Sequence, residues 1–82
     1  MNEISLNKIR DILAQHGRLP VDVDTLSDDS DLYSSGLTSL ATVGLMLALE
    51  DAFEVEFPEN MLSRKTFESI EAISEAIEEM QA

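Results

Sequence analysis

The sequence predicts an all-α fold, a small bundle of three main helices plus one short helix, with a long ordered loop between helices 1 and 2. In three segments of the 82-residue chain, apolar residues recur at three- and four-residue steps. The strict alternation that is typical of half-buried strands is absent, and alanine, leucine and methionine dominate the most apolar segment. A chain of this length allows one domain, which we assign to residues 1–82.

The first helix is predicted over residues 2–16. Asn2 or Ser5 is the candidate N-terminal cap, and Gly17 is the C-terminal stop. We assign no chemical role to His16, the only histidine, because a histidine in the last turn most often interacts with the helix end. The apolar stripe of this helix consists of Leu6, Ile9, Ile12 and Leu13.

Residues 18–38 form an unusually long connection. Loops of this length in small domains are usually functional or packed by their own side chains, so we expect it to be ordered. Its acids invite comparison with a calcium-binding loop, but the register fails: starting from Asp22, Ser27 stands at the glycine position and Tyr33 at the final glutamate position. We therefore predict no metal site. The apolar residues spaced to anchor the connection are Leu19, Val21, Val23, Leu26, Leu32 and Leu37.

The second helix is predicted to begin at Ser39 and to end near Glu54. Gly36 can take the positive φ of a turn just before it, and Thr38 and Ser39 are residue types that cap a first turn. On a helical wheel the apolar residues are too many for one face, so those on the second side are either buried twice or exposed as a docking patch. The stripe assigned to the core contains Thr42, Leu45, Met46, Leu49 and Phe53. The opposite side contains Leu40, Val43, Gly44, Leu47, Glu50 and Asp51.

The last third of the chain is predicted to contain a short helical turn and a long helix. Pro58 suits the first position of a turn over residues 59–62, and Thr66 is the candidate cap of the last helix. The basic pair in Ser63-Arg64-Lys65 is interpreted as a solvated linker that balances acids. In the last helix, Phe67, Ile70, Ile73, Ile77 and Met80 are predicted to face inward, and Glu68, Glu71, Glu75, Glu78 and Glu79 outward.

Composition narrows the functional classes. Seventeen acidic residues against five basic ones give a formal charge of −12, which argues against nucleic-acid binding and favours partners with basic patches. The chain has no cysteine, so the sulfur of any thioester must come from a prosthetic group. No apolar run reaches the length of a membrane span and the N-terminus lacks signal-peptide order, so we expect a cytoplasmic protein. We also expect it to be a monomer. A multi-residue catalytic pocket is hard to build in so small a core, and we predict that the chain is not an enzyme.

Ser39 is the residue to which chemistry is assigned. The start of a helix gathers unpaired N–H groups and the positive end of the helix dipole, so it is a favourable place for a phosphate. A serine at that position can bind an anion, carry one covalently, or simply cap the helix. The residue types alone leave these alternatives open.

Six short motifs occur in order along the chain: Asp31-Leu32, Gly36-Leu37, Ser39-Leu40, Leu49-Glu50-Asp51-x-Phe53, Phe57-Pro58 and Thr66-Phe67-x-Ser69-Ile70. In these motifs, and over nearly its whole length, the sequence resembles the acyl carrier protein family. The resemblance implies that a phosphopantetheinyl transferase attaches 4′-phosphopantetheine from coenzyme A to Ser39. It also implies that the terminal thiol of this arm holds a cargo as a thioester, and that the protein catalyses nothing. The residue before the serine is usually Asp in this family, whereas here it is Thr38.

The resemblance further implies that partner enzymes recognise the second helix beside Ser39. Fatty-acid carriers typically place acids where this chain has Thr38, Ala41 and Gly44, so its surface is more apolar. The whole sequence is most similar to small stand-alone bacterial aminoacyl carrier proteins, which are charged by ligases that resemble class II aminoacyl-tRNA synthetases and then serve downstream acceptor enzymes. The alternatives are a specialised acyl or polyketide carrier charged by an acyl ligase, and an unmodified carrier-like interaction module. The candidate partner surface comprises Leu37, Thr38, Leu40, Val43, Leu47, Glu50 and Asp51.

Overall fold

The computed structural model describes the backbone of residues 3–81 and the side chains of residues 5–81. Three α-helices, α1 (Glu3–His16), α2 (Ser39–Phe53) and α3 (Ile70–Gln81), form the bundle, and α1 packs against both of the others. Two short 3₁₀ helices, Val23–Thr25 and Glu59–Met61, lie in the connections, and the described residues contain no strand. The predicted all-α fold class is confirmed, with one more short helix than the sequence predicted.

The core forms where the apolar stripes of the three helices meet. Burial of these stripes confirms the periodicity on which the helix predictions rested, and the glutamates assigned to the outside of α3 are exposed. The long connection also enters the core and is ordered, as predicted, although Val21 is 43% exposed and was wrongly counted among its anchors. The fully buried large side chains are Ile9, Leu13, Leu32, Leu45, Leu49, Ile70 and Ile73.

Helix α1 ends at His16, and the next position, Gly17, has no room for a larger residue. The Gly17 N–H donates to the Leu13 carbonyl oxygen at 2.7 Å, and a Cβ at position 17 would lie 2.7 Å from both Leu13 Cδ1 and that oxygen. The chain then turns through Arg18, whose φ of 52° is left-handed. The predicted C-terminal stop is confirmed. At the other end, Asn2 lies outside the described residues, and the prediction of Ser5 as a cap is wrong because Ser5 lies within the helix.

Helix α2 has both of its predicted ends. Thr38 is the N-terminal cap, with extended backbone and a side-chain Oγ1 that accepts the Ala41 N–H at 3.0 Å. At the C-terminus, Glu54 adopts the left-handed conformation with φ 55°, and its N–H donates to the Glu50 carbonyl oxygen.

Helix α3 begins three residues beyond Phe67, so the prediction of Thr66 as its cap is wrong. The cap is Ser69, whose Oγ accepts the Ala72 N–H at 3.0 Å. The residues before Ser69 are held by tertiary contacts: the Phe67 ring packs on Phe57 with centroids 5.2 Å apart, and the Glu68 carbonyl oxygen accepts the Leu32 N–H at 2.7 Å.

Pro58 was also misplaced. Its backbone is extended (φ −68°, ψ 157°), so it precedes the 3₁₀ helix Glu59–Met61 instead of occupying its first position. That helix ends one residue earlier than predicted because Leu62 has left the helical region, with φ −84° and ψ 69°.

Candidate functional site

The loop that leads into α2 is folded around the carboxylate of Asp31. Its Oδ1 accepts the N–H groups of Tyr33 at 3.0 Å and Ser34 at 3.3 Å, and its Oδ2 accepts the Ser34 hydroxyl at 3.0 Å. The two hydrogen bonds from Ser34 are the main cause that lowers the pKa of Asp31 below its ordinary value, and the Tyr33 N–H and the positive charge of Arg64 act in the same direction. A charged Asp31 therefore stabilises this loop.

Gly36 then turns the chain toward α2. Its φ is 116°, which confirms the predicted positive φ, and a Cβ at this position would lie 2.5 Å from Pro20 Cδ. The next residue, Leu37, donates its N–H to the Leu32 carbonyl oxygen at 2.9 Å and is only 4% exposed. The sequence placed Leu37 both among the loop anchors and on the partner surface. Its burial supports the assignment as a loop anchor. The assignment to the partner surface is wrong, because the side chain packs in the core.

Ser39 is the first residue of α2 and its side chain is exposed. Because Thr38 already supplies the capping oxygen, the hydroxyl of Ser39 is not needed as a cap. The N–H groups of Ser39 and Leu40 have no acceptor one turn earlier in the helix, and they lie at the positive end of its dipole. The site thus presents a hydroxyl oxygen and unpaired N–H donors at the same exposed helix start.

An open groove of about 320 Å³ begins at Ser39 and runs between α2 and the segment that precedes α3. The Arg64 guanidinium lies over the Tyr33 ring, 4.4 Å from its centroid, and the Tyr33 hydroxyl is 3.3 Å from Thr42 Oγ1. Arg64 is exposed and its positive charge acts on Asp31, which agrees with the interpretation of residues 63–65 as a solvated linker that balances acids, although the sequence did not indicate its contact with Tyr33. The groove is lined by Tyr33, Ser39, Thr42, Val43, Met46, Leu62, Ser63, Arg64 and Phe67.

The outward face of α2 carries three exposed large apolar residues. Leu40 is 80% exposed, Val43 52% and Leu47 56%. Of the two alternatives that the sequence left open for this face, burial or exposure, the structure therefore shows exposure. We call these three residues the apolar patch. Thr38 and Asp51, also assigned to the partner surface, are exposed as well.

Glu50 is half-buried, and it has a structural contact that the sequence did not indicate. Its Oε2 accepts the Phe57 N–H at 2.8 Å, which ties the end of α2 to the segment that follows it. A helical wheel shows which face a glutamate occupies but not which distant N–H reaches it.

Two further properties concern the described residues only. No three of their histidine, aspartate and glutamate side chains come together in a way that would hold a metal ion. None of the helices in that part of the chain has both the length and the apolar character needed to cross a membrane.

Residues 7–77 match the family of the phosphopantetheine attachment site. The chain belongs to this family. Phosphopantetheine, which the motifs implied, is the prosthetic group for which the family is named, and the resemblance to carrier proteins is confirmed.

Two similar proteins are carriers of amino acids by name. The chain is 55% identical over 69 residues to the aminoacyl carrier protein of Agrobacterium fabrum, an alignment that covers 84% of this chain and 83% of that protein. It is 36% identical over 61 residues to the D-alanyl carrier protein of Streptococcus uberis, covering 73% and 76% of the two chains.

A solved carrier protein structure is similar to this chain over a larger share of its length than either sequence relative. The chain superposes with a TM-score of 0.87 and 52% identity on a chain from the crystal structure of an engineered glycine:[carrier protein] ligase of Bradyrhizobium japonicum complexed with carrier protein from Agrobacterium tumefaciens and AMP. The superposition covers 89% of this chain and 97% of that one. The chain is therefore a homologue, in sequence and in fold, of aminoacyl carrier proteins.

Proposed function

We propose that Ser39 carries the 4′-phosphopantetheine arm, and that the protein presents an amino acid, held on this arm, to partner enzymes. The observation that carries the proposal is the exposed Ser39 hydroxyl at the start of α2, in a chain of the phosphopantetheine attachment family. The protein itself performs no catalytic step in this proposal. The cytoplasm is its proposed location.

The chemistry at Ser39 is a transfer that a phosphopantetheinyl transferase performs with coenzyme A. Ser39 Oγ loses its proton and forms a bond to the phosphorus next to the pantetheine, while the bond from that phosphorus to 3′,5′-adenosine diphosphate breaks. The product is a phosphodiester with one negative charge. The unpaired N–H groups of Ser39 and Leu40 and the positive end of the α2 dipole are placed to stabilise that charge.

The groove beside Ser39 is suited in size and chemistry to lodge an arm. Its walls combine apolar surface from Val43 and Met46 with polar groups from Tyr33 and Arg64, which matches a chain of amides and methyl groups. Attached there, the arm supplies the terminal thiol that this cysteine-free chain lacks, and that thiol holds the cargo as a thioester. Because the groove is open, an arm lodged in it would remain able to leave and reach a partner.

An amino acid is the proposed cargo, since the two relatives described above are an aminoacyl and a D-alanyl carrier protein. The proposed charging enzyme is a ligase of the kind seen with the similar carrier protein chain, a glycine:[carrier protein] ligase. The apolar character of the helix next to Ser39 supports this choice, because the first turn of α2 has no acid for the basic surface of a fatty-acid synthase enzyme to bind.

The attachment site is tested by mass spectrometry. The unmodified protein is incubated with coenzyme A, magnesium and a phosphopantetheinyl transferase of broad specificity, and the intact mass is measured. We expect wild type and the Ser35→Ala control to gain one phosphopantetheine group, and Ser39→Ala to gain none. An unmodified wild type, or a Ser39→Ala variant that is still modified, would show that the site is assigned wrongly.

The cargo is tested on the modified protein. Amino acid:carrier protein ligase with ATP and a mixture of amino acids is compared with an acyl ligase and a mixture of fatty acids. We expect an aminoacyl adduct that hydroxylamine removes, as a thioester requires. Acylation by fatty acids alone would favour the alternative of a specialised acyl carrier, while leaving Ser39 as the attachment site.

A further inference from the structure

The groove that begins at Ser39 is lined by one charged residue, Arg64. Its other described lining residues are hydroxyl-bearing or apolar, so no acid faces the guanidinium across the groove. In a chain with seventeen acidic residues and five basic ones, a groove with one cation and no acid is a local exception to the overall charge. The groove is therefore suited to an anionic group.

The guanidinium of Arg64 has donors that the protein does not use. Within the part of the chain that the structure describes, it donates no hydrogen bond and forms no ion pair. It packs instead on the Tyr33 ring, with Cζ 4.4 Å from the ring centroid. A guanidinium that packs on an aromatic face still presents N–H donors, and their planar arrangement matches the oxygens of a phosphate group.

Hydrogen bonds fix the Tyr33 ring, and with it the packing partner of Arg64, against the first turns of α2. Thr42 Oγ1 donates its single proton to the Thr38 carbonyl oxygen at 2.7 Å. The Tyr33 hydroxyl, 3.3 Å from Thr42 Oγ1, is therefore the donor between those two groups. Thr42 follows Ser39 by three residues, so the two side chains are neighbours on the helix surface, with Cβ atoms about 5–6 Å apart. A short series of contacts thus joins the proposed attachment point to Arg64.

We propose that Arg64 pairs with the phosphodiester that would join the arm to Ser39, and so holds the anchored end of the arm in this groove. The phosphodiester is the one charged group of an uncharged-cargo arm, because pantetheine consists of amides, a hydroxyl, methyl groups and a thiol. A phosphodiester has two non-bridging oxygens, so it can accept from the N–H groups at the start of α2 and from Arg64 together. The neutral remainder of the arm would stay free to leave the groove. This inference rests on the proposed function.

The pairing is measured by a thermodynamic cycle between the arm and the guanidinium. The Tm is determined for the unmodified and the phosphopantetheine-loaded forms of wild type, Arg64→Gln, Arg64→Lys and Lys65→Gln. Lys65→Gln is the matched control, because it removes a neighbouring exposed cation that lines a different groove, with Glu75 and Glu79 of α3.

We expect attachment of the arm to change the Tm of wild type and of Lys65→Gln by the same amount. In Arg64→Gln the change should be less favourable by roughly 1–8 °C, the effect of one exposed ion pair in a domain of this size. Loss of packing on Tyr33 would lower the Tm of both forms equally, so it cancels in the cycle. Arg64→Lys should recover part of the difference, because it restores the charge without the planar guanidinium. In about 1 M salt the difference should nearly vanish, since ion pairs at the surface are screened.

Phosphorus NMR provides a second measurement that does not depend on a variant folding. The loaded protein contains one phosphorus atom, in the phosphodiester, and its resonance is also recorded in urea as the unfolded reference. Raising the salt concentration with wild type should move the resonance toward that reference, because the pairing is screened. In Arg64→Gln the resonance should already lie nearer the reference at low salt, and in Lys65→Gln it should coincide with that of wild type.

Three results would overturn the proposal while leaving Ser39 as the attachment site. The first is a Tm change on attachment that Arg64→Gln leaves as in wild type, or that Lys65→Gln alters equally. The second is a Tm difference that salt does not reduce, which would assign the contact to the neutral amides of the arm. The third is a wild-type phosphorus resonance that salt does not move. Failure of wild type to gain the arm would instead refute the proposed function, and this inference with it.

Discussion

Adding one methyl group at Gly36, three residues before Ser39, should strongly destabilise the protein. The φ of 116° is a conformation that side chains rarely adopt, and holding alanine there costs about 1–3 kcal/mol. The new Cβ would also lie 2.5 Å from Pro20 Cδ and 2.9 Å from Pro20 Cγ, an overpacking that typically costs another ~1–3 kcal/mol. A domain of this length has a total stability of about 4–12 kcal/mol, so Gly36→Ala should remove a large part of it.

Gly44→Ala is the matched control, because the same methyl group meets nothing within 4 Å there. In the interior of a helix, alanine is favoured over glycine by about 0.5–1 kcal/mol, so this variant should be more stable than wild type. The free energies of unfolding are obtained from urea titrations of the unmodified proteins, with Tm as a second readout. The reasoning would be refuted if Gly36→Ala unfolded at the same urea concentration as wild type, or if the two alanine variants shifted the midpoint in the same direction.

Three further changes test the elements that position Ser39, each measured by urea unfolding. Thr38→Ala should lower the free energy of unfolding by about 1 kcal/mol, because the Ala41 N–H loses its capping oxygen, while Thr38→Ser should lower it only slightly. Leu45→Ala should cost about 2–5 kcal/mol because Leu45 is fully buried, whereas Leu40→Ala, at an exposed position, should change stability by less than about 0.5 kcal/mol. Asp31→Asn should be less stable than wild type at neutral pH, and that difference should shrink as the pH falls below the ordinary aspartate pKa of 3.8.

The sign for Asp31 follows from the direction of its shift. Its pKa is lower in the folded protein than in the unfolded chain, so its carboxylate stabilises the fold at pH values above both pKa values, and that contribution is lost on acidification. A stability difference between wild type and Asp31→Asn that stayed constant from neutral pH to pH ~3 would contradict this interpretation. Two other results would contradict the reasoning. One is an equal loss of stability in Leu45→Ala and Leu40→Ala, and the other is a Thr38→Ser variant that is as unstable as Thr38→Ala.

The sequence was sufficient to predict α2 because every local signal agreed. A glycine that can take a positive φ, a capping residue type and an apolar run with good helix formers follow one another without conflict. The start of α3 was missed for the opposite reason. Thr66 and Ser69 are both suitable caps, and the choice was made by the Leu32 N–H, which binds the Glu68 carbonyl oxygen from a distant part of the chain.

Contacts distant in sequence explain the remaining errors around the site. Nothing local distinguishes Leu37, which is buried, from Leu40, which is 80% exposed, because both are leucines beside the same helix start. The pairing of Arg64 with Tyr33 joins residues far apart in the chain and leaves no periodic signal. Ser39 stays a predicted site, and the sequence did not show that its hydroxyl is free of capping duty, which became clear only from the hydrogen bond of Thr38.

The distribution of charge connects the fold to the proposed attachment. In a chain with seventeen acids, no charged residue occurs between Asp31 and Glu50, and Ser39 lies near the middle of this interval. Arg64 instead lines the groove that begins at Ser39, and Arg18 lines a second groove between the end of α1 and the outward face of α2. A phosphodiester at Ser39 would therefore add its negative charge within a stretch of sequence that contains no acid. The same uncharged interval contains Leu40, Val43 and Leu47, so the outward face of α2 presents an apolar patch beside the proposed attachment point.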